Sequence, residues 1–275
     1  MAKILIKVDN SDDFSCDADG YIIGISDFCI CFGKTYDFQK VNEIKKNVNN
    51  KKLFVSLNRP IYNYELKEYK DILKKLDNLG LDGIIIGDVA ALTYNFKTPI
   101  ILDQLHLNNG SLSIKHYAKN NVSGVVLTND ITLDEINKIK DENKNTLIFK
   151  QVFGLPHLST SARHLVSNYL EHFNKNLEDK VCIISEDGKN NEYYITEDYF
   201  GTHILSKNPI NLIDKLDSIK ADYFIVDGYL LTDYKWVFDA FASKDIKLKD
   251  EINSKFNANE GFINQKTIYK VRHDD

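Results

Sequence analysis

The sequence has few of the features that would place it in a membrane or outside the cell. In its 275 residues, no apolar run approaches the roughly 20 residues that a bilayer-spanning helix needs. The first residues, Met-Ala-Lys-Ile-Leu-Ile-Lys-Val-Asp, form too short an apolar stretch for a signal peptide and lack a small-residue cleavage site. We therefore expect a cytoplasmic protein that has no membrane partner.

Cysteine is scarce, and the motifs of several common enzyme classes are missing. The cysteines are Cys16, Cys29, Cys31 and Cys182, and no two form a Cys-x-x-Cys pair, which favours reduced, structural thiols. The sequence contains no phosphate-binding P-loop, dinucleotide fingerprint, zinc-binding His-Glu-x-x-His helix or Gly-x-Ser-x-Gly elbow. The formal net charge of -5 argues against a general polyanion binder, although it leaves room for a local basic patch.

Short apolar runs alternate along the chain with longer amphipathic segments. Continuous apolar runs of this length are typical of parallel strands that are buried on both faces. The predicted strands are residues 4–8, 21–25, 53–57, 83–87, 100–103, 124–128, 147–152 and 223–227. Eight such strands with helical patterns between most of them predict an α/β fold, a single (β/α)8 TIM-like barrel domain over residues 1–275.

The predicted helices cover residues 65–79, 111–119, 133–140 and 162–173, where apolar residues recur at helical spacing. Thr132 and Glu135 have the spacing of a capping box at the start of one of them. Two departures from a regular barrel are expected. Residues 10–20 are too few and too polar for a normal first crossover helix, and residues 180–206 alternate like antiparallel strands inserted between strands seven and eight.

Polar side chains follow the predicted strands at their carboxyl ends, where barrels of this kind carry their active sites. Asp88, Asp103 and Asp227 are expected to converge there, where they could act as a general acid or base or bind a divalent metal. The alternative is that each aspartate caps a helix or accepts hydrogen bonds from loop amides.

Residues 154–169 form the segment that is richest in candidate groups. Ser159, Thr160 or Ser161 is predicted to cap the following helix, whose positive end would then face an anion at the barrel mouth. Arg163 would add a grip on that anion or, alternatively, form a structural salt bridge. His157 and His164 make a weak metal signal because no third ligand is evident.

Six segments together resemble the collagenase-like peptidase family U32, whose catalytic type is unassigned. Strand three ends in Leu-Asn at residues 57–58, and Gly-x-Asp precedes the apolar strand that leads to Asp88. Further resemblance is carried by residues 102–109, 126–136 and 153–169 and by the Glu-Asp and Gly-Thr pairs within residues 197–202. The order and spacing of these segments, over residues 53–227, support the resemblance.

The resemblance implies proteolysis of collagen-like peptides, and relatives of this type are also associated with 5-hydroxylation of the tRNA wobble uridine. The candidate catalytic residues are Asp88, His157 and Asp227, and the candidates for binding an anion or substrate are Asn58, Gln104, Asn109, Ser161, Arg163 and Glu197. An anion in this site could be a phosphate or a small dicarboxylate. Cofactors stay unidentified, with a divalent metal as a candidate.

The sequence also departs from the family pattern. Longer members carry cysteines in the defining segment, where this chain has His157 and His164, so we do not expect an iron–sulfur cluster. The family's Arg-Glu after strand six is replaced by Asn129 and Asp130. Three hypotheses follow: a peptidase acting on peptides, a tRNA hydroxylation factor acting on tRNA, or a non-catalytic subunit that works with a longer paralogue.

Overall fold

Eight parallel strands close into a barrel, as predicted, and a smaller antiparallel sheet follows the seventh of them. A computed structural model describes residues 2–48, 50–105, 108–176, 181–188 and 191–265. Parts of the segments named in the sequence analysis lie outside the described residues: residues 106–107 of the segment 102–109, residues 180 and 189–190 of the insertion, and residues 266–275 of the predicted domain. No helix within the described ranges is both long and apolar enough to cross a bilayer.

The strands in chain order are β1 (Lys3–Lys7), β2 (Gly20–Ile25), β3 (Thr35–Tyr36), β4 (Lys52–Leu57), β5 (Gly83–Ile86), β6 (Ile100–Leu102), β7 (Gly124–Leu127), β8 (Leu147–Gly154), β9 (His157–Ser161), β10 (Val181–Ser185), β11 (Glu192–Asp198), β12 (Gly201–Ser206), β13 (Ile210–Asn211) and β14 (Tyr223–Asp227). The helices are α1 (Phe38–Asn47), α2 (Leu66–Asp77), α3 (Ser111–Lys119), α4 (Leu133–Glu142), α5 (Leu165–His172), α6 (Lys235–Ser243) and α7 (Lys249–Phe256).

The barrel runs in the order β1-β14-β8-β7-β6-β5-β4-β2, and the pairing of β1 with β2 closes it. The eight predicted strands are therefore confirmed. Their apolar residues are buried on both faces, because side chains alternate between the barrel interior and the surrounding helices. The interior cluster consists of Leu5, Ile22, Phe54, Ile85, Ile101, Phe149 and Ile225, and it fills the middle of the barrel. Active sites of such barrels lie above this layer, at the carboxyl ends of the strands.

The crossover segments follow the sequence patterns. The capping box predicted for α4 is present, with the Thr132 hydroxyl accepting from the Glu135 amide and the Glu135 carboxylate accepting from the Thr132 amide. The first crossover is reduced, as expected, to one 3-10 turn at Ser11–Ser15. The charged tail is helical at its start, in a 3-10 turn at Ile246–Leu248 and in α7.

The insertion between the seventh and eighth barrel strands, β8 and β14, is antiparallel, as predicted, but it is larger than residues 180–206. Its sheet has the order β10-β11-β12-β9, so the segment after β8 supplies a strand of its own. The helix predicted over residues 162–173 is present as α5, but its predicted start and its capping by Ser159, Thr160 or Ser161 are wrong. Residues 157–161 pair instead with β12, and α5 begins only at Leu165. Local pattern cannot reveal this pairing because the partner strand lies some 40 residues later.

Candidate functional site

A small cavity lies at the carboxyl ends of the barrel strands, beneath the antiparallel sheet. Its volume is about 110 Å³. Apolar side chains such as Ile22, Ile85 and Ile225 form its floor. The polar groups around it include Lys7, Ser56, Asn58, Asp103, Thr128, Asn129, Gln151, His157, Asp227 and Tyr229. An apolar cavity with a few convergent polar groups is the usual form of a site for a small molecule.

A buried ion pair forms one wall of this cavity. The ammonium of Lys7 donates to Oδ2 of Asp227 over 2.8 Å and also to the Cys31 carbonyl. Both side chains are nearly buried, with exposed fractions of 11% and 14%. Burial alone would lower the pKa of Lys7, but the carboxylates of Asp227 and Asp9 outweigh it and hold this pKa above its ordinary value. The ammonium therefore stays charged, and the pair holds the ends of β1 and β14 together.

A second carboxyl group lies beside this pair. Asp9 accepts a hydrogen bond from the Gly33 amide at 2.7 Å. Burial raises the pKa of Asp9 well above its ordinary value; Lys7 counteracts part of that rise, and the negative charge of Asp227 adds to it. Two carboxyl groups thus lie close to one ammonium, and burial favours the protonated form of Asp9. A buried carboxyl group with a raised pKa is a candidate for proton transfer.

The sheet above the cavity contributes a row of hydrogen-bonding side chains. The Thr160 hydroxyl lies 2.9 Å from Nε2 of His157 and 3.0 Å from Nδ1 of His203. The other nitrogen of His203, Nε2, lies 3.2 Å from Oδ2 of Asp198. Burial would raise the pKa of Asp198, but His203 and neighbouring amides lower it, so the carboxylate is ionised. Carboxylate, imidazole and hydroxyl therefore follow one another, as in hydrolases that use an imidazole base.

Cys31 brings a thiol to the same place. One ligand atom from each of Cys31, His157 and His203 lies within 4.8 Å of the other two. Cys31 and His157 also border the cavity. These three residues are the group through which the site could hold a metal ion.

Two side chains attach the loops above the cavity to the barrel. The Arg59 guanidinium forms a bidentate ion pair with Glu65 and stacks over the Phe200 ring, with 4.1 Å between its central carbon and the ring centre. Asn58 receives a hydrogen bond from the Ile30 amide at 2.9 Å and donates one to the Ile30 carbonyl at 3.4 Å. These contacts fix the loop after β2 and the turn between β11 and β12 relative to the barrel mouth.

Gly201 permits the close approach of β12 to the end of β9. Its φ is +129°, and an added Cβ would lie 2.0 Å from the Ser161 carbonyl oxygen. We expect Gly201→Ala to lower the free energy of unfolding by about 2 kcal/mol or more, since backbone strain and a backbone clash add together. Gly188→Ala is the matched control, because φ is +73° there but the space is open, and it should cost only about 1 kcal/mol. Urea unfolding of both variants measures the difference, and equal losses would refute the argument.

Four of the residues predicted from sequence border the cavity: Asn58, Asp103, His157 and Asp227. Asp88 does not. Its carboxylate accepts from the Ala90 amide at 2.8 Å and from the Ile61 amide at 2.9 Å, so it caps a 3-10 turn and ties down the loop after β4. This is the capping role that the sequence left open as the alternative.

Gln104 and Asn109 also lie away from the cavity lining. The Gln104 carbonyl accepts from the Tyr117 hydroxyl at 3.0 Å, and Asn109 is exposed. The buried asparagine of this segment is Asn108, whose amide donates to the carbonyls of Leu102 and Val126 and links β6 to β7. A shift of one residue thus separates the predicted binding residue from the residue that the fold uses.

Ser161, Arg163 and Glu197 meet near the start of α5 rather than in the cavity. Glu197 accepts from the Val166 amide at 2.9 Å and from the hydroxyls of Ser167 and Thr202. Burial would raise the pKa of Glu197, but these hydrogen bonds lower it. The expectation that this helix end faces an anion in the barrel is therefore wrong, because a carboxylate of the chain itself occupies it. Arg163 is exposed, and its amide donates to the Ser161 hydroxyl.

Several residues of the site were missed or given little weight at the level of sequence. Lys7 interrupts an apolar strand, and a lysine at such a position is a recognisable signal of a buried ion pair. Lys150 and Gln151 interrupt β8 in the same way. His203 is not among the residues predicted for the site, and Cys31 is predicted there only as a structural thiol. His164, which was considered as a ligand together with His157, is half exposed and lies 3.6 Å from Glu197.

Comparison with known proteins agrees with this architecture. The chain is 29% identical over 193 residues to the tRNA hydroxylation protein P2 of Bacillus subtilis. The matched region covers 65% of this chain and 62% of that protein. It is 24% identical over 196 residues to an uncharacterized protease of Methanocaldococcus jannaschii, covering 66% of this chain and 47% of that protein. The chain thus spans less than two thirds of either relative.

The solved structure of the U32 peptidase Mk0906 has the same fold, with a TM-score of 0.50 over 82% of this chain and 92% of that chain at 10% identity. The family model described as peptidase family U32 matches residues 19–255, which is most of the chain. The barrel, the antiparallel sheet after its seventh strand and this match agree with the resemblance seen in the sequence. The chain belongs to peptidase family U32.

Proposed function

We propose that this protein takes part in hydroxylation of tRNA, at the wobble uridine, with the barrel cavity binding a small molecule that the reaction requires. The activity class comes from the relative in Bacillus subtilis, whose name assigns it to tRNA hydroxylation. Action on tRNA implies the cytoplasm as the compartment. Binding of tRNA by a chain of net charge -5 would use a local basic surface and not the charge of the whole protein.

The observation that carries the proposal is the small size of the cavity and its position beneath the antiparallel sheet. Its volume of about 110 Å³ is well below the roughly 300–1,000 Å³ of typical drug-sized ligand pockets. Such a space suits a molecule of a few non-hydrogen atoms and not a stretch of polypeptide. Around it, Lys7 and Asp227 supply an ammonium and a carboxyl group, with Asp9 close to this pair, and such groups bind a small polar molecule.

Filling the cavity tests this proposal. Ser56 is 2% exposed and borders the cavity, so Ser56→Leu places an apolar side chain in the space, whereas Ser56→Ala keeps it open. In a strain that lacks the gene, we expect loss of 5-hydroxyuridine-derived nucleosides from tRNA. Wild type and Ser56→Ala should restore them, and Ser56→Leu should give roughly tenfold less or lower, because no room for a ligand remains. Mass spectrometry of digested tRNA measures the nucleosides, and circular dichroism checks that both variants fold.

Peptide hydrolysis is the second candidate, and the row Asp198–His203–Thr160 is the observation that favours it. In this function Thr160 would be the nucleophile and His203 its base. Unchanged wobble nucleosides in the deletion strain would contradict tRNA hydroxylation. Cleavage of a peptide library by purified protein, with its loss in Thr160→Val, would then support the peptidase. Inactivity on such libraries, with and without divalent metals, would count against it.

The third hypothesis from the sequence, a non-catalytic subunit that pairs with a longer family member, stays a proposal. The same experiment bears on it. Suppose that a variant with an impaired cavity restores the nucleosides only while a longer paralogue is present. That result would favour this hypothesis over the others.

A further inference from the structure

Three elements that are distant in sequence bring a thiol and two imidazoles together above the barrel. Cys31 lies in the loop after β2, His157 begins β9 and His203 lies in β12. One ligand atom from each lies within 4.8 Å of the others. His203 is fully buried, and Cys31 is 9% exposed.

The donor set is one that transition metals prefer. A thiolate with two imidazoles gives three protein ligands, the number found in catalytic zinc sites that keep a fourth position for water or substrate. Zn–S bonds of about 2.3 Å and Zn–N bonds of about 2.0–2.1 Å place tetrahedral ligand atoms roughly 3.5 Å apart. The three ligand atoms lie within 4.8 Å of one another, so side-chain rotations that bring them closer by up to about 1.3 Å would reach binding distance.

The surroundings supply the support that metal-binding histidines usually have. Nε2 of His203 lies 3.2 Å from Oδ2 of Asp198, so this carboxylate can orient the ring and leave Nδ1 for a metal. The Thr160 hydroxyl already joins Nδ1 of His203 to Nε2 of His157, which shows that both rings turn toward one point. The nearby charge of Lys7 is balanced by Asp227 and so does not repel a cation.

We propose that Cys31, His157 and His203 form a mononuclear site for a divalent transition metal, of which Zn²⁺ is the best match. The open fourth position faces the cavity, since Cys31 and His157 both border it. A small ligand in the cavity then lies within reach of the metal. This site does not depend on tRNA hydroxylation, and metal binding is measured without that activity.

The test is titration of metal-free, full-length protein with Co²⁺ alone. We expect one Co²⁺ per chain, with the near-ultraviolet charge-transfer band of a cobalt–thiolate bond, and displacement by Zn²⁺. Cys31→Ser should abolish that band, and His203→Ala should weaken binding at least tenfold. Cys29→Ser and His164→Ala are the matched controls, since neither residue belongs to the group of three, and both should bind like wild type.

Two results would overturn the proposal. The first is absence of Co²⁺ binding by wild type, or equal binding by wild type and Cys31→Ser. The second comes from X-ray absorption of the zinc-loaded wild-type protein, which needs no variant to fold. Sulfur and imidazole neighbours are expected around the metal, and a shell of oxygen atoms alone would rule the site out.

Discussion

Replacing Asp227 with alanine is expected to lower the free energy of unfolding by about 3 kcal/mol, because it leaves the buried Lys7 ammonium without its partner. Loss of one member of a buried pair typically costs about 3–5 kcal/mol. We expect the lower end of this range, since Asp9 lies near and can ionise in place of Asp227. Urea unfolding at neutral pH measures the loss.

Two controls make this result specific. Asp141→Ala breaks an ion pair with Lys220 whose side chains are 56% and 53% exposed, and it should cost no more than about 1 kcal/mol. The double variant Lys7→Met with Asp227→Leu should regain most of the lost stability, because an apolar pair needs no countercharge. If Asp227→Ala loses no more unfolding free energy than Asp141→Ala, the pair of Lys7 and Asp227 is solvated rather than buried.

The second large effect concerns Lys150 and the pH dependence of stability. Lys150 is 2% exposed, and its ammonium donates to the Thr128 carbonyl at 3.0 Å and to the Asn129 side chain. Asn129 in turn donates to Gln151 at 2.6 Å, so the lysine supports the cavity wall. Burial lowers the pKa of Lys150 from 10.5 to about 7, and the charge of Asp130 only partly opposes this.

The sign of the effect follows from proton binding. Between pH 7 and pH 10.5 the unfolded chain holds the Lys150 proton and the folded chain releases it, so this group makes stability rise with pH. Below pH 7 both states are protonated and the folded state carries the full cost of a buried charge. Lys150→Met removes this cost at every pH.

We therefore expect the stability of Lys150→Met relative to wild type to fall by about 2 kcal/mol between pH 7 and pH 9. The lost hydrogen bonds to Thr128 and Asn129 add a term that does not change with pH. The contributions of other titrating groups to the pH dependence of stability are the same in both proteins and cancel in the comparison. Parallel stability curves for wild type and Lys150→Met over this range would show that Lys150 has an ordinary pKa in the folded protein.

Much of the barrel could be predicted because its signals are local. Each parallel strand is a largely apolar run of three to eight residues, and its burial on both faces requires that composition wherever it pairs. The capping box of Thr132 and Glu135 is local in the same sense, since both hydrogen bonds close within one turn. The eight strands and the helices α2, α3 and α4 were predicted for this reason.

The segment after β8 could not be predicted in this way. Residues 157–173 have apolar residues at helical spacing over part of their length, yet His157–Ser161 form a strand because β12 offers them hydrogen-bonding partners. The role of Glu197 depends on the same pairing, since it places this carboxylate at the start of α5. The helix or strand propensity of a segment decides its secondary structure only where tertiary pairing does not override it.

The sequence by itself determined the barrel, the reduced first crossover and the antiparallel insertion. The reason is that the spacing of apolar residues and the local composition indicate which residues are buried. It also placed Asp227 and His157 among the candidates for the site. Only the tertiary structure decided which groups meet: Lys7 with Asp227, which are 220 residues apart, and Cys31 with the two histidines. The physical reason is that closing a barrel and folding a sheet over its mouth bring together residues whose separation along the chain carries no signal. Side-chain chemistry can be read from sequence, whereas convergence on one point is a property of the closed fold.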